Sequence, residues 1–66
     1  MNDKGTFEYE GGDMVYDVDW VAENDAVYCD VFILISGKKV NVTNNIYPAL
    51  ADEIYATAHD YRDGEY

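Results

Sequence analysis

The sequence contains few cysteines, histidines and basic residues. With one cysteine, Cys29, and one histidine, His59, the chain cannot form an internal disulfide or any of the usual Cys/His zinc sites. Four Lys and Arg residues stand against fourteen Asp and Glu residues, which gives a formal net charge of −10. Direct binding to DNA or RNA is therefore disfavoured, because affinity for phosphates depends on cationic side chains.

Long apolar segments are also missing. The longest unbroken apolar run covers residues 31–35, whereas a membrane-spanning helix needs about 20 apolar residues. The first ten residues contain no apolar stretch of the kind found in signal peptides. We therefore expect a cytoplasmic protein in which Cys29 is a buried, unreactive thiol.

No motif for catalysis or for cofactor binding is present. His59 has no Ser or Cys nucleophile in a recognisable pattern, and the glycine pair at 11–12 stands alone rather than in a phosphate-binding loop. Asp17, Asp19 and Asp30 offer oxygens that suit Ca²⁺ or Mg²⁺, but they lack the glycine turn and closing glutamate of a calcium loop. The sequence predicts neither an enzyme, nor a cofactor, nor a metal site.

The segment AVYCDVFILI, residues 26–35, is the element around which the chain is organised. It is rich in β-branched and aromatic residues and has turn-forming residues at both ends, which predicts a central β-strand. Its odd-numbered residues are all apolar, whereas its even-numbered residues include Asp30. One strand face is therefore expected to be core, and the other to meet solvent or a partner.

Other segments with alternating apolar and polar residues complete the predicted sheet. Strands are expected at residues 6–10, 14–22, 26–35 and 38–43. Two-residue turns are expected at Gly11-Gly12, Asn24-Asp25 and Ser36-Gly37. These turns predict the pairs Tyr9–Met14, Phe7–Tyr16, Trp20–Cys29, Val18–Val31, Ile33–Val40 and Val15–Leu34. The apolar rows of all strands then share one face, which supports an antiparallel meander of order 1-2-3-4.

The last third of the chain has the period of a helix. An apolar stripe runs from Tyr47 through Leu50, Ile54 and Ala58, and Pro48 suits the first turn of a helix. A helix is predicted over residues 48–62, packed across the apolar sheet face. The chain is therefore expected to form a single α+β domain, residues 1–66.

The opposite sheet face is expected to carry the function. The predicted register places Asp19 directly across from Asp30, and like charges opposite each other destabilise a sheet. Conflict between local stability and the overall fold is typical of functional residues. A plain solvated acidic face is the alternative interpretation.

Two binding modes for this face stay open. In the first, Asp17, Asp19 and Asp30 imitate nucleic-acid phosphates with the assistance of Glu8 and Glu10, and occupy the basic site of a nucleic-acid-binding protein. Tyr28 and Phe32 then serve as anchors. In the second, its apolar residues form a homodimer seam or dock an assembly partner. The candidate partner-binding residues are Glu8, Glu10, Val15, Asp17, Asp19, Tyr28, Asp30, Phe32 and Leu34. A secondary acidic patch is predicted at Asp52, Glu53 and Asp60.

The layout of the chain resembles that of small acidic proteins encoded by phages. A meander that ends in SGKKVNVT and is followed by a helix beginning within IYPALADEIY is similar to DNA mimics, anti-CRISPR proteins and uracil-DNA glycosylase inhibitors. The resemblance implies an inhibitor of a host nucleic-acid-binding protein that acts in the host cytoplasm. It covers the layout of nearly the whole chain and assigns no role to individual residues.

Overall fold

The computed structural model describes residues 3–64, so the ends of the predicted 1–66 domain lie outside the described residues. Its elements are β1 (Lys4–Gly11), β2 (Met14–Glu23), β3 (Ala26–Ile35), β4 (Lys38–Asn41) and α1 (Pro48–Arg62). The strands form one antiparallel sheet in the order β1-β2-β3-β4, and α1 packs on one face of it. The predicted α+β meander with a C-terminal helix is confirmed.

The outer strands differ slightly from their predicted bounds. β1 begins at Lys4, earlier than the predicted segment 6–10, and β4 ends at Asn41 rather than at residue 43. β4 ends there because the Thr43 hydroxyl accepts a hydrogen bond from the Val31 N–H (2.9 Å). The Thr43 hydroxyl therefore replaces the main-chain carbonyl that would accept from the Val31 N–H if the strand continued.

Residues with positive φ angles form the second and third hairpin turns. Asn24 and Asp25 have φ angles of 51° and 67°, and Ser36 and Gly37 have 52° and 80°. Two successive positive φ angles are typical of type I′ turns, whose twist matches that of the paired strands. Both predicted loops are therefore confirmed. So are the predicted pairs Trp20–Cys29, Val18–Val31 and Ile33–Val40.

The predicted position of the first turn is wrong by one residue. Gly11 pairs with Met14, so the loop is residues 12–13, and Gly12 takes a positive φ of 69°. Either glycine of the pair suits such an angle, so the sequence does not distinguish the two positions. Moving the loop by one residue shifts each β1 partner by two, which keeps every side chain on its predicted face. The observed pairs are Phe7–Val18 and Tyr9–Tyr16.

The hydrophobic core lies between α1 and the sheet. Val18, Val31, Leu50 and Ile54 are the largest fully buried side chains, each exposed by 1% or less. They come from β2, β3 and α1 and belong to one apolar cluster. At about 1.5–3 kcal/mol for each large apolar side chain buried, this cluster is the main source of the stability of the fold.

Trp20 is buried against the edge strand β1. It pairs with Gly5, where an added Cβ atom would come within 2.9 Å of the indole Nε1. The missing side chain at Gly5 therefore leaves the space that the indole ring occupies. Among residues 3–64, the buried Nε1 has no hydrogen-bond partner. An unsatisfied buried donor lowers the free energy of unfolding by about 1–3 kcal/mol.

α1 leaves the far end of the apolar sheet face uncovered. Ile35 and Tyr47, both expected in the core, are 51% and 61% exposed, and Met14 and Val40 are 42% and 39% exposed. The helix packs on the predicted face, but the expectation that Ile35 and Tyr47 lie in the core is wrong. A ten-residue strand spans about 33 Å, whereas a 15-residue helix spans about 22 Å. We call Met14, Ile35, Val40 and Tyr47 the distal apolar patch.

Candidate protein-binding face

The sheet face turned away from α1 carries all the predicted partner-binding residues. Their neighbours in sequence, such as Phe7, Val18 and Val31, are buried on the α1 side. Because successive side chains of a strand point to opposite faces, the predicted residues share the other side. We call this side the open face. Its predicted residues are Glu8, Glu10, Val15, Asp17, Asp19, Tyr28, Asp30, Phe32 and Leu34.

Two pairs of carboxylates lie directly opposite each other on the open face. Asp19 faces Asp30 across β2 and β3, as predicted. Glu8 faces Asp17 across β1 and β2, a pair that sequence reasoning missed because it placed the first turn one residue too early. Opposite Cβ atoms in such pairs are about 4.5–5.5 Å apart. We call these four residues the acidic cluster.

No basic side chain neutralises the acidic cluster through an ion pair in the described part of the chain. The ion pair found there joins Arg62 to Asp63, with Nε and Oδ1 3.1 Å apart, at the end of α1. The repulsion within each like-charge pair is therefore not offset by a direct salt bridge, and it is screened by solvent and dissolved ions.

A cavity of about 290 Å³ lies at the acidic cluster. Residues of β1 and β2 line it together with Lys39 of β4: Thr6, Phe7, Glu8, Asp17, Val18, Asp19 and Lys39. Because low-dielectric walls focus the field of charges in a concavity, the carboxylates attract a cation more strongly there than on a flat surface.

Lys39 is a residue of the open face that sequence reasoning assigned no role there. It pairs with Leu34, which places it on this face, and its Nζ lies 4.9 Å from the centroid of the Phe32 ring. A cation over an aromatic face contributes about 0.5–1 kcal/mol at an exposed site. The pairing of Lys39 with Leu34 follows from the predicted third turn, so this position was available from the sequence.

The two predicted aromatic anchors differ in accessibility. Tyr28 is 59% exposed and pairs with Val21, which is 44% exposed. Phe32 is half-buried and presents one ring face to Lys39. The Tyr28–Val21 pair is therefore the more accessible apolar element beside the acidic cluster.

The predicted apolar seam is exposed but not paired as expected. Val15 and Leu34 are 51% and 62% exposed. The β2–β3 ladder begins at Asp17–Phe32, so Val15 and Leu34 lie beyond its end. Val15 instead pairs with Glu10 of β1.

The secondary acidic patch lies on α1, on the other side of the sheet. Asp52 and Glu53 are exposed and Asp60 is half-buried. The Tyr9 hydroxyl donates a hydrogen bond to the Glu53 carboxylate, which raises the pKa of Tyr9. Glu53 thus links α1 to β1, and the fold does not bring the α1 acids together with the acidic cluster.

The Cys29 thiol lies on the buried side of β3, next in sequence to Asp30. Burial, together with the nearby Asp30 carboxylate, raises the pKa of the Cys29 thiol to about 11 from its usual 9.0. We expect iodoacetamide to alkylate Cys29 far more slowly in the native protein at pH 8 than in urea, because the native thiol is both buried and protonated. Equal rates in the two conditions would contradict this burial.

The same shift has a consequence for stability at alkaline pH. The unfolded thiol loses its proton near pH 9, whereas the folded thiol holds it to about pH 11. The thiol therefore leaves the free energy of unfolding unchanged below pH 9 and lowers it as pH rises from 9 to 11. Urea denaturation across this range should show a steeper fall in the wild type than in Cys29→Ala, which retains the tyrosines but lacks the thiol.

Other kinds of site are not found in the part of the chain that the structure describes. Among residues 3–64, no group of three or more His, Cys, Asp or Glu side chains is placed to hold a metal ion. Within the same range, no helix is both long enough and apolar enough to cross a membrane. No protein-family model, curated protein or solved structure matches the chain.

Proposed function

We propose that this protein binds a basic protein surface through its open face, and that the surface is one that otherwise holds nucleic acid. The acidic cluster carries the proposal. It holds two adjacent like-charge pairs, Glu8–Asp17 and Asp19–Asp30, each of which costs the isolated fold some tenths of a kcal/mol. A cationic partner would relieve that repulsion on binding.

The spacing of the carboxylates supports imitation of nucleic acid. Asp17 and Asp19 follow each other on one face of β2, about 7 Å apart along the strand. Glu8 and Asp30 extend the charge to the strands on either side. The cluster therefore presents a patterned array of negative charges, which a site built to bind phosphates can recognise with its Lys and Arg side chains.

Net charge and apolar anchors complete the proposed interface. The formal net charge of −10 favours rapid encounter with a basic surface. The exposed Tyr28–Val21 pair supplies an apolar contact beside the acidic cluster. Aromatic side chains that become buried at the centre of an interface contribute much of the binding energy. The resemblance to phage-encoded inhibitors supports the further proposal that the protein competes with nucleic acid for its target.

Affinity capture from a cell lysate tests the proposal. The tagged protein is compared with the open-face variant Asp17→Lys, Asp19→Lys, Asp30→Lys. The matched control carries the same change in net charge on α1, as Asp52→Lys, Glu53→Lys, Asp60→Lys. We expect the wild type and the α1 variant to retain a nucleic-acid-binding protein that moderate salt releases. A partner that the folded open-face variant retains equally well would contradict the proposal.

A second candidate function is an assembly module that docks or dimerises through the apolar part of the open face. The exposure of Val15 and Leu34, 51% and 62%, favours it, with Phe32 between them and the acidic cluster. Such a complex buries apolar surface, so it would persist at high salt, whereas the charge-led complex would dissociate.

A further inference from the structure

β4 is an edge strand whose outer main-chain groups are available for pairing. It lies at the end of the sheet order β1-β2-β3-β4. The Val42 N–H donates to the Val31 carbonyl (2.8 Å), and main-chain groups alternate in direction along an antiparallel strand. Val40 therefore points its main-chain groups towards β3, whereas Lys39 and Asn41 point theirs away from the sheet. An edge of this kind can accept another strand.

The distal apolar patch lies beside the same edge. Val40 belongs to β4, and the other patch residues Ile35 and Tyr47 are more than half exposed. Two patch residues, Met14 and Tyr47, line an apolar cavity of about 180 Å³ together with Ile33, the β3 partner of Val40. Contiguous apolar surface next to an open strand edge is typical of an interaction site.

The charge of the chain indicates which partner fits this edge. No acidic residue occurs between Asp30 and Asp52, although the whole chain has fourteen. β4 and its adjoining turn and loop therefore contribute no acidic side chain, on a protein of formal net charge −10. A second copy of the chain meets less electrostatic repulsion here than at the acidic open face or at α1.

We infer that β4 pairs with β4 of a second copy to form a two-fold symmetric dimer with a continuous eight-stranded sheet. The axis passes through Val40, so that Val40 faces Val40 of the second copy. Lys39 then faces Asn41 of the second copy, and the outward main-chain groups of these two residues bond to each other. Registers centred on Lys38 or Lys39 would place two lysines directly opposite, which is unfavourable.

The dimer covers two exposed features of the single chain. The open edge of β4 gains hydrogen bonds, and the exposed Val40 side chains of the two copies meet on the α1 side. An axis perpendicular to the sheet leaves both open faces on the opposite side. The dimer therefore leaves the acidic clusters accessible and does not depend on the proposed function.

Sedimentation analysis of two aspartate variants tests the dimer. Val40→Asp places two carboxylates against each other at the axis, whereas Val21→Asp makes the same change at a similarly exposed position of the open face. We expect the wild type and Val21→Asp to dimerise, more strongly as salt screens their net charge, and Val40→Asp to lose the dimer. A wild type that stays monomeric at high salt, or a dimer that Val40→Asp leaves intact, would overturn the inference.

Disulfide cross-linking tests the register. Across a two-fold axis at Val40, the two Val40→Cys residues are about 4.5 Å apart at Cα and can form a disulfide. Lys38→Cys is the matched control, because its two copies would be separated by about 13 Å along the strands. We expect mild oxidation to cross-link Val40→Cys and to leave Lys38→Cys monomeric on a non-reducing gel. Equal cross-linking of both variants would overturn the register.

Discussion

Replacing Ile54 by alanine is expected to lower the free energy of unfolding by about 2–5 kcal/mol. Ile54 is fully buried where α1 packs on the sheet. Its removal forfeits apolar burial and leaves a cavity that this core cannot easily close. A domain of 66 residues has a total stability of only about 3–10 kcal/mol. We therefore expect a substantial fraction of Ile54→Ala to be unfolded at 37 °C.

Urea denaturation followed by the fluorescence of Trp20 measures this effect. Tyr55→Ala is the matched control, because Tyr55 is the next residue of α1 and is 36% exposed. We expect that control to change the free energy of unfolding by less than about 1 kcal/mol. Similar losses in the two variants would mean that α1 does not pack on the sheet through the side that carries Ile54.

The sequence was sufficient to predict the faces of the sheet because alternation is a local property. Trp20 and Cys29 belong to apolar rows that flank the Asn24-Asp25 turn, and a two-residue loop leaves one register in which both rows share a face. The sequence did not determine the register of the first turn, because the glycine pair allows two loop positions whose strand registers differ by two residues. Both positions satisfy the same alternation.

The missed part of the site follows from that ambiguity. The pairing of Glu8 with Asp17 requires the loop at residues 12–13, so the second like-charge pair could not be derived from side-chain alternation alone. The approach of Lys39 to Phe32 depends on side-chain conformation and sheet twist, which residue order does not specify.

The extent of helix coverage was also outside the reach of pattern reasoning. Periodicity shows which side of α1 is apolar, and Leu50, Ile54 and Ala58 are indeed buried. It does not show how far the helix reaches along the sheet. Tyr47 precedes the first helical residue with an extended backbone (φ −75°, ψ 155°), so its side chain lies outside the packed stripe. The distal apolar patch is the result.

Neutralising the acidic cluster is expected to stabilise the fold and to weaken partner binding. The variant Asp17→Asn, Asp19→Asn, Asp30→Asn keeps the shape of each side chain and removes both like-charge repulsions. Each such pair costs about 0.2–1 kcal/mol, so we expect the free energy of unfolding to rise by about 0.4–2 kcal/mol. The gain should shrink as salt screens the charges in the wild type.

The same variant should bind the captured partner about tenfold to a hundredfold more weakly, because each lost interfacial charge contributes up to about 1 kcal/mol. The variant Asp52→Asn, Glu53→Gln, Asp60→Asn removes the same number of charges from α1 and should leave affinity nearly unchanged. Titration calorimetry and urea denaturation of both variants provide the comparison. A rise in the free energy of unfolding together with a loss of affinity is expected of carboxylates that serve a partner rather than the fold. A variant that lost stability would mean that these carboxylates support the fold, and equal loss of affinity in both variants would mean that only net charge matters.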